Sequence, residues 1–127
     1  QWSAFRLESM SGYELPHGYA VSIGLCIDLG YAVEKGLLKQ ECRERVIRLL
    51  AAYGALDGLG HSGHLLGQTD NLLHGLDAWA LSAGSAAITV PRAIGKSVED
   101  AEPDREVLAK VLKGMAASPA LAENLVK

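Results

Sequence analysis

His17-Gly18-Tyr19-Ala20-Val21-Ser22-Ile23-Gly24-Leu25-Cys26-Ile27-Asp28-Leu29-Gly30-Tyr31-Ala32-Val33-Glu34-Lys35 is the run whose reading decides the fold. Wound at 3.6 residues per turn, Val21, Ile23, Leu25, Cys26, Ile27, Leu29, Tyr31 and Val33 fall on nearly every side, so the run predicts a helix buried at the centre of its domain. Gly36 supplies the usual stop. The longest apolar stretch within it, Gly18 to Ile27, is about half of the roughly 20 residues that a membrane-spanning helix needs, and Asp28 closes it. The helix is therefore expected in the core of a soluble protein.

Other helices are expected on both sides of this rod. Ser3 to Met10 reads as a short helix with Ser3 as N-cap and Gly12 as its stop, and a turn through Tyr13 to Pro16 leads into the central run. Lys39 to Tyr53 is amphipathic: Cys42, Val46, Leu49, Leu50 and Tyr53 form an apolar stripe, opposite Glu41/Arg45 and Glu44/Arg48 pairs at i,i+4 on a solvated face. Gly54 to Thr69, with five glycines and two of the four histidines, reads as loop. Leu72, Leu73, Leu76 and Ala80 mark a further helix capped by Thr69 or Asp70. Ala86 to Val90, with Pro91 at its end, allows one strand of a two-stranded element. A last helix is expected from Pro103 at its first position through Val107, Leu108, Val111, Leu112 and Met115, and Ser118-Pro119 restarts a terminal turn or two. The fold class is mostly α: four or five helices with one short β element.

Composition narrows the function. The 127 residues allow one domain. Twelve Lys and Arg against fifteen Asp and Glu leave a net charge of −3, which gives a phosphate backbone no basic footprint, so no nucleic-acid partner is expected. Nor is a membrane. Cys26 and Cys42 both lie in apolar helical patterns, which points away from a disulfide scaffold and toward a reducing, cytoplasmic compartment. The first residue, Gln1, is followed by no charged leader and apolar run, so no signal peptide is expected. Trp2 already opens a helical pattern, as if the chain were a piece of something longer.

Four features bear on chemistry. Gly58-Leu59-Gly60-His61-Ser62-Gly63 is a literal dinucleotide fingerprint, but it follows a helix where that fingerprint needs a buried strand, so it reads as a connection. His61, His64 and His74 suggest imidazole ligands, yet no acid or thiol stands at a helical offset to complete a shell, and they read as exposed histidines. Asp28, on the buried helix, must be paired or protonated, and marks either a structural hydrogen bond or the edge of a cavity. At the helix start, His17 is either a structural hydrogen-bonding group or a metal ligand aimed into a cleft, with Gly18 allowing close approach.

The segment Ser11-Gly12-Tyr13-Glu14-Leu15-Pro16-His17-Gly18-Tyr19-Ala20-Val21-Ser22-Ile23-Gly24-Leu25 resembles the C-terminal domain of the 3-dehydroquinate synthase family of sugar-phosphate cyclases, which reads H-G-E-A-V-A-I-G here. Trp2 to Glu8 is similar to the segment just before it, and Arg92-Ala93-Ile94-Gly95 resembles the end of the family's small β element. The resemblance implies that residues 1–127 are the C-terminal helical domain of a two-domain enzyme whose NAD-binding domain is absent from this chain. It implies a divalent metal such as zinc, acting as a Lewis acid on the hydroxyl oxidised by NAD, and a small phosphorylated sugar as substrate. Phosphate elimination, re-reduction and ring closure follow in that family.

Carried over residue by residue, the family's three histidines fall on Gln1, Phe5 and His17, so the resemblance places the metal on His17 and Gln1. Phe5 stands where a histidine handles protons, Tyr19 where the family has glutamate, and Asp77-Ala78-Trp79-Ala80 lacks the lysine of the corresponding motif. The chain as it stands is expected to be inactive, since a catalytic zinc site usually needs three protein ligands and Phe5 moves no proton. Two other expectations stand beside this one: a diverged homologue serving as a structural or interaction module, and a relative of the iron-dependent and glycerol dehydrogenases. An apolar face left by the missing domain predicts a homo-oligomer or a partner contact.

Overall fold

A computed structural model describes residues 1–117. The helical reading holds: α1 is Trp2–Met10, α2 His17–Glu34, α3 Gln40–Ala52, α4 Leu59–Ser62, α5 Thr69–Ala83 and α6 Arg105–Ala116, with a 3₁₀ turn over Gly63–Gly67 before α5. Strands β1 (Ile88–Ala93) and β2 (Lys96–Asp100) pair antiparallel as one hairpin. The expected turns at Ser118-Pro119 lie outside the described residues. Among those described, no helix is long and apolar enough to cross a membrane.

α2 is the rod around which the rest is built, with Ala20, Ile23, Cys26, Ile27, Leu29, Tyr31 and Ala32 all buried. It packs on α1, α3, α6 and β1. α1 lies between α2 and α5, and two glycines set how close these helices come. A Cβ on Gly24 would stand 2.8 Å from Ser3 Oγ, and a Cβ on Gly75 2.8 Å from Arg6 Cβ. Both positions need a residue without a side chain if the helices are to touch backbone to backbone.

Several boundaries differ from the sequence reading, each for a local reason. Ser3 is no cap; it lies inside α1, fully buried against Gly24, and the helix opens at Trp2 with Gln1 as N-cap. The glycine-rich segment after α3 is not plain loop, because Leu56, Leu65 and Leu66 anchor it in the core and draw it into α4 and the 3₁₀ turn. On α3 the fully buried residue is Ile47, while Leu49 and Tyr53 face outward. β1 runs through Pro91, which sits opposite Ser97 beside a bulge; a two-stranded sheet has only edge strands, where a missing N–H is tolerated. α6 starts at Arg105, not Pro103, because Asp104 Oδ1 accepts from the N–H groups of Glu106 (3.1 Å) and Val107 (3.2 Å).

Tyr31 joins the hairpin to the last helix. Its hydroxyl donates to Asp100 Oδ2 at 2.5 Å and accepts from the Asp104 N–H at 2.9 Å. Burial, reinforced by the Asp100 carboxylate, pushes the phenol up to about 12. Tyr31→Phe removes a charge-assisted bond and leaves a backbone N–H without its acceptor. The expected cost is about 2 kcal/mol in urea unfolding, with the native α-helical circular dichroism retained; a cost below about 0.5 kcal/mol would mean that water replaces the phenol freely.

Candidate functional site

The residues singled out by sequence separate into two places. The first is the start of α2. Pro16 caps the helix, its carbonyl taking the Ala20 N–H, and leaves His17 at the first helical position. The imidazole is not sunk in a cleft: its side chain is 57% exposed. It is nonetheless held. Nδ1 lies 3.1 Å from Glu8 Oε2, and the ring stacks on Phe5 with centroids 6.2 Å apart and planes 21° from parallel. With Nδ1–H turned to a carboxylate, Nε2 is the nitrogen left with a free lone pair, the arrangement that commonly orients a histidine ligand.

Around that nitrogen, however, the neighbours are aromatic. Phe5 follows Gln1 by one helical turn, its N–H donating to the Gln1 carbonyl at 3.0 Å. On its other side Phe5 meets Trp79 of α5, centroids 6.0 Å apart and planes at 37°. His17, Phe5 and Trp79 thus form a stack, with Phe5 still 49% exposed. Offset and tilted rings of this kind attract one another and shed water, but neither Phe5 nor Trp79 offers a lone pair to ligate a metal ion or a group that carries a proton. Among the described residues, no three His, Cys, Asp or Glu side chains come together so as to hold a metal ion. His17 is thus one prepared ligand in search of others, and Gln1, exposed at the head of α1, adds at most an amide oxygen.

The second place is the middle of α2. Asp28 edges a cleft of about 1020 Å³ between α2, α3 and the hairpin turn, and Gln1 lies on its lip. Asp28 Oδ1 is closed off from solvent and accepts no hydrogen bond, so of the two readings open for this residue the cavity edge is the one the structure takes. Burial pushes its carboxyl up to about 7, opposed in part by the nearby indole N–H of Trp2, which is itself buried and too far off to complete a hydrogen bond. Cys26, two residues before it on α2, is buried too, and burial raises its thiol to about 12, which makes it inert as a nucleophile.

The remaining histidines do not join either place. His61 and His64 lie exposed along a smaller cleft of about 570 Å³ beside Tyr19 and Asp57, and His74 is exposed on α5. The fingerprint-like glycines carry α4 instead of a phosphate loop, with Gly58 pressed to within contact of Tyr19 and Leu15. Arg92 and Ala93 end β1, and Ile94 and Gly95 form the turn of the hairpin, Gly95 taking φ +78°. The Phe5 to Trp79 contact escaped the sequence reading; the absence of a lysine near Trp79 was the only signal pointing there.

Comparison with known proteins adds a direction. Residues 2–59 match the family described as 3-dehydroquinate synthase C-terminal, a span that holds α1, α2 and α3 with Phe5, His17 and Asp28, but neither Trp79 nor the hairpin. A 3-dehydroquinate synthase of Zymomonas mobilis subsp. mobilis is 30% identical over 108 residues, which cover 84% of this chain. They cover 28% of that relative's length. No solved structure matches the chain.

Proposed function

Residues 2–59 belong to the 3-dehydroquinate synthase C-terminal family, and from that premise we propose that the chain is the metal- and substrate-side helical domain of a sugar-phosphate cyclase in which the proton-handling position has been given up. The observation that carries this reading is the stack of Phe5 on His17 and Trp79. On this reading, the two aromatic rings occupy positions that the resemblance assigns to imidazole and lysine.

A zinc ion, where the family binds one, would supply Lewis-acid polarisation of a hydroxyl. The donors in this chain do not fit it: one imidazole, one exposed amide and a benzene ring make no three-ligand shell. No catalytic step is assigned through it. NAD would be held by a separate N-terminal domain, and the phosphorylated sugar would reach this domain only across the junction between the two. That junction, with Phe5 half exposed, suits packing against another protein surface, and the same exposure supports self-association and a role as an interaction module. The isolated chain is expected to work, if it works at all, in the cytoplasm and without chemistry of its own.

Metal analysis after dialysis against zinc tests the reading. Less than about 0.1 equivalent of zinc per chain is expected, with no turnover of a phosphorylated ketose in the presence of NAD. Stoichiometric zinc together with phosphate release by the unaided chain would overturn it.

A further inference from the structure

The cleft beside Asp28 differs in charge from the chain that forms it. The whole chain carries −3, yet the charged side chains lining this cleft are Arg45, Arg48 and Lys96 against Asp28 alone. None of the three cations is in an ion pair among the described residues. Between these charges the walls are hydrocarbon: Leu25 and Leu29 from α2, Val46 and Leu49 from α3, and Ile94 at the hairpin turn. Leu49 and Ile94 remain more than half exposed, an unusual state for two large aliphatic groups facing one hollow.

Asp28 lines the cleft, and its Oδ1 is buried without a hydrogen-bond donor among the described residues. A buried acceptor left unmatched is costly, and a group that donates to it recovers that cost. Two guanidinium groups, one turn apart on α3, line it as well, and although Arg48 Nε–H donates to the Glu44 carbonyl, their terminal N–H groups can be set against a single acidic group by paired hydrogen bonds. The volume is at the upper end of the range of small-molecule sites.

We propose that this cleft binds a small amphipathic anion, its acidic group on Arg45, Arg48 and Lys96, its apolar body over Leu25, Leu29 and Leu49, and an N–H or O–H donating to Asp28. A sugar phosphate does not match this pattern, because its ring hydroxyls would face leucine side chains without partners. The site is therefore separate from the cyclase reading and does not rest on it.

The probe 1-anilinonaphthalene-8-sulfonate carries all three features: a sulfonate, an aromatic body and an anilino N–H. Titrated into the full chain, it is expected to bind one to one with a saturable rise in fluorescence. Arg45→Gln/Arg48→Gln is expected to weaken it about tenfold, with far-ultraviolet circular dichroism unchanged. Asp28→Val is expected to weaken it several-fold. N-phenyl-1-naphthylamine, which lacks the sulfonate, is expected to bind both the parent chain and the arginine double variant equally. Affinity of the sulfonate unmoved by the arginine pair, or a signal that never saturates, would dismiss the proposal. So would sedimentation showing that the chain dimerises and expels the dye as it does, since the cleft would then be covered by a second copy.

Discussion

Asp28→Asn is expected to raise the melting temperature by about 5–10 °C at pH 8 and to leave it within about 2 °C of the parent at pH 4. The carboxyl is pushed from 3.8 to about 7 by burial beside the cleft, with Oδ1 unpartnered. A group whose folded value is raised contributes its full stability below the unfolded value and loses it as pH climbs through the folded one. Between about pH 4 and 7 the unfolded chain is therefore ionised while the folded chain still holds the proton, and stability falls with each step up in pH. A displacement of this size corresponds to roughly 4 kcal/mol, of which the amide recovers about half, because it too is buried without a full set of partners. Melting curves of parent and variant from pH 4 to 8 check this: the parent's should decline toward pH 8 and the variant's should stay level. Two parallel profiles would show that Asp28 is solvated after all.

Gly75→Val comes next in size. α1 and α5 touch at this glycine, where a new Cβ would meet Arg6 Cβ at 2.8 Å and the Trp2 carbonyl oxygen at 3.4 Å. These atoms belong to a backbone held on its other side by Gly24, so α1 has little room to yield. Overpacking of this kind costs about 2–3 kcal/mol, more than the helix propensity gained by replacing glycine. The same displacement would part Phe5 from Trp79, so the near-ultraviolet dichroism of the stacked rings should fade even under conditions where the variant stays folded. Gly114→Ala is the contrasting change: nothing lies within 4 Å of its added Cβ, and it is expected to stabilise α6 by up to about 1 kcal/mol. Were both variants equally stable, close helix contact at Gly75 would be wrong.

What the sequence disclosed, and what it withheld, follows from the range of the interactions involved. α2 was legible because its apolar residues surround the helix, and Gly36, at φ +72°, ends it as a local signal should. Of the hairpin, only the first strand announced itself, through the β-rich run Ala86 to Val90; its extension through Pro91 and its partner β2 did not. The segment after α3 was misread because its glycines dilute any periodicity, while the three leucines that fix it act through contacts made elsewhere in the chain. On α3, Ile47 and Leu49 are equally apolar, and only the packing of α2 decides which of them faces inward. Asp104 outcompeted Pro103 as the start of α6 because a carboxylate can satisfy two N–H groups and a proline none. At the candidate site, His17 could be picked out from its own neighbours, whereas its stack required Phe5 and Trp79, 74 residues apart, to be brought together by the fold.

The phenol of Tyr31 ties together positions 69 and 73 residues further along the chain. Substitution at Tyr31 or Asp100 alters what the other must provide, whereas position 104 gives the phenol only a backbone N–H that any residue but proline carries, so descent with modification should change the first two in concert or not at all. Among homologues, this pair is expected to be inherited as a block even where the surface around it drifts.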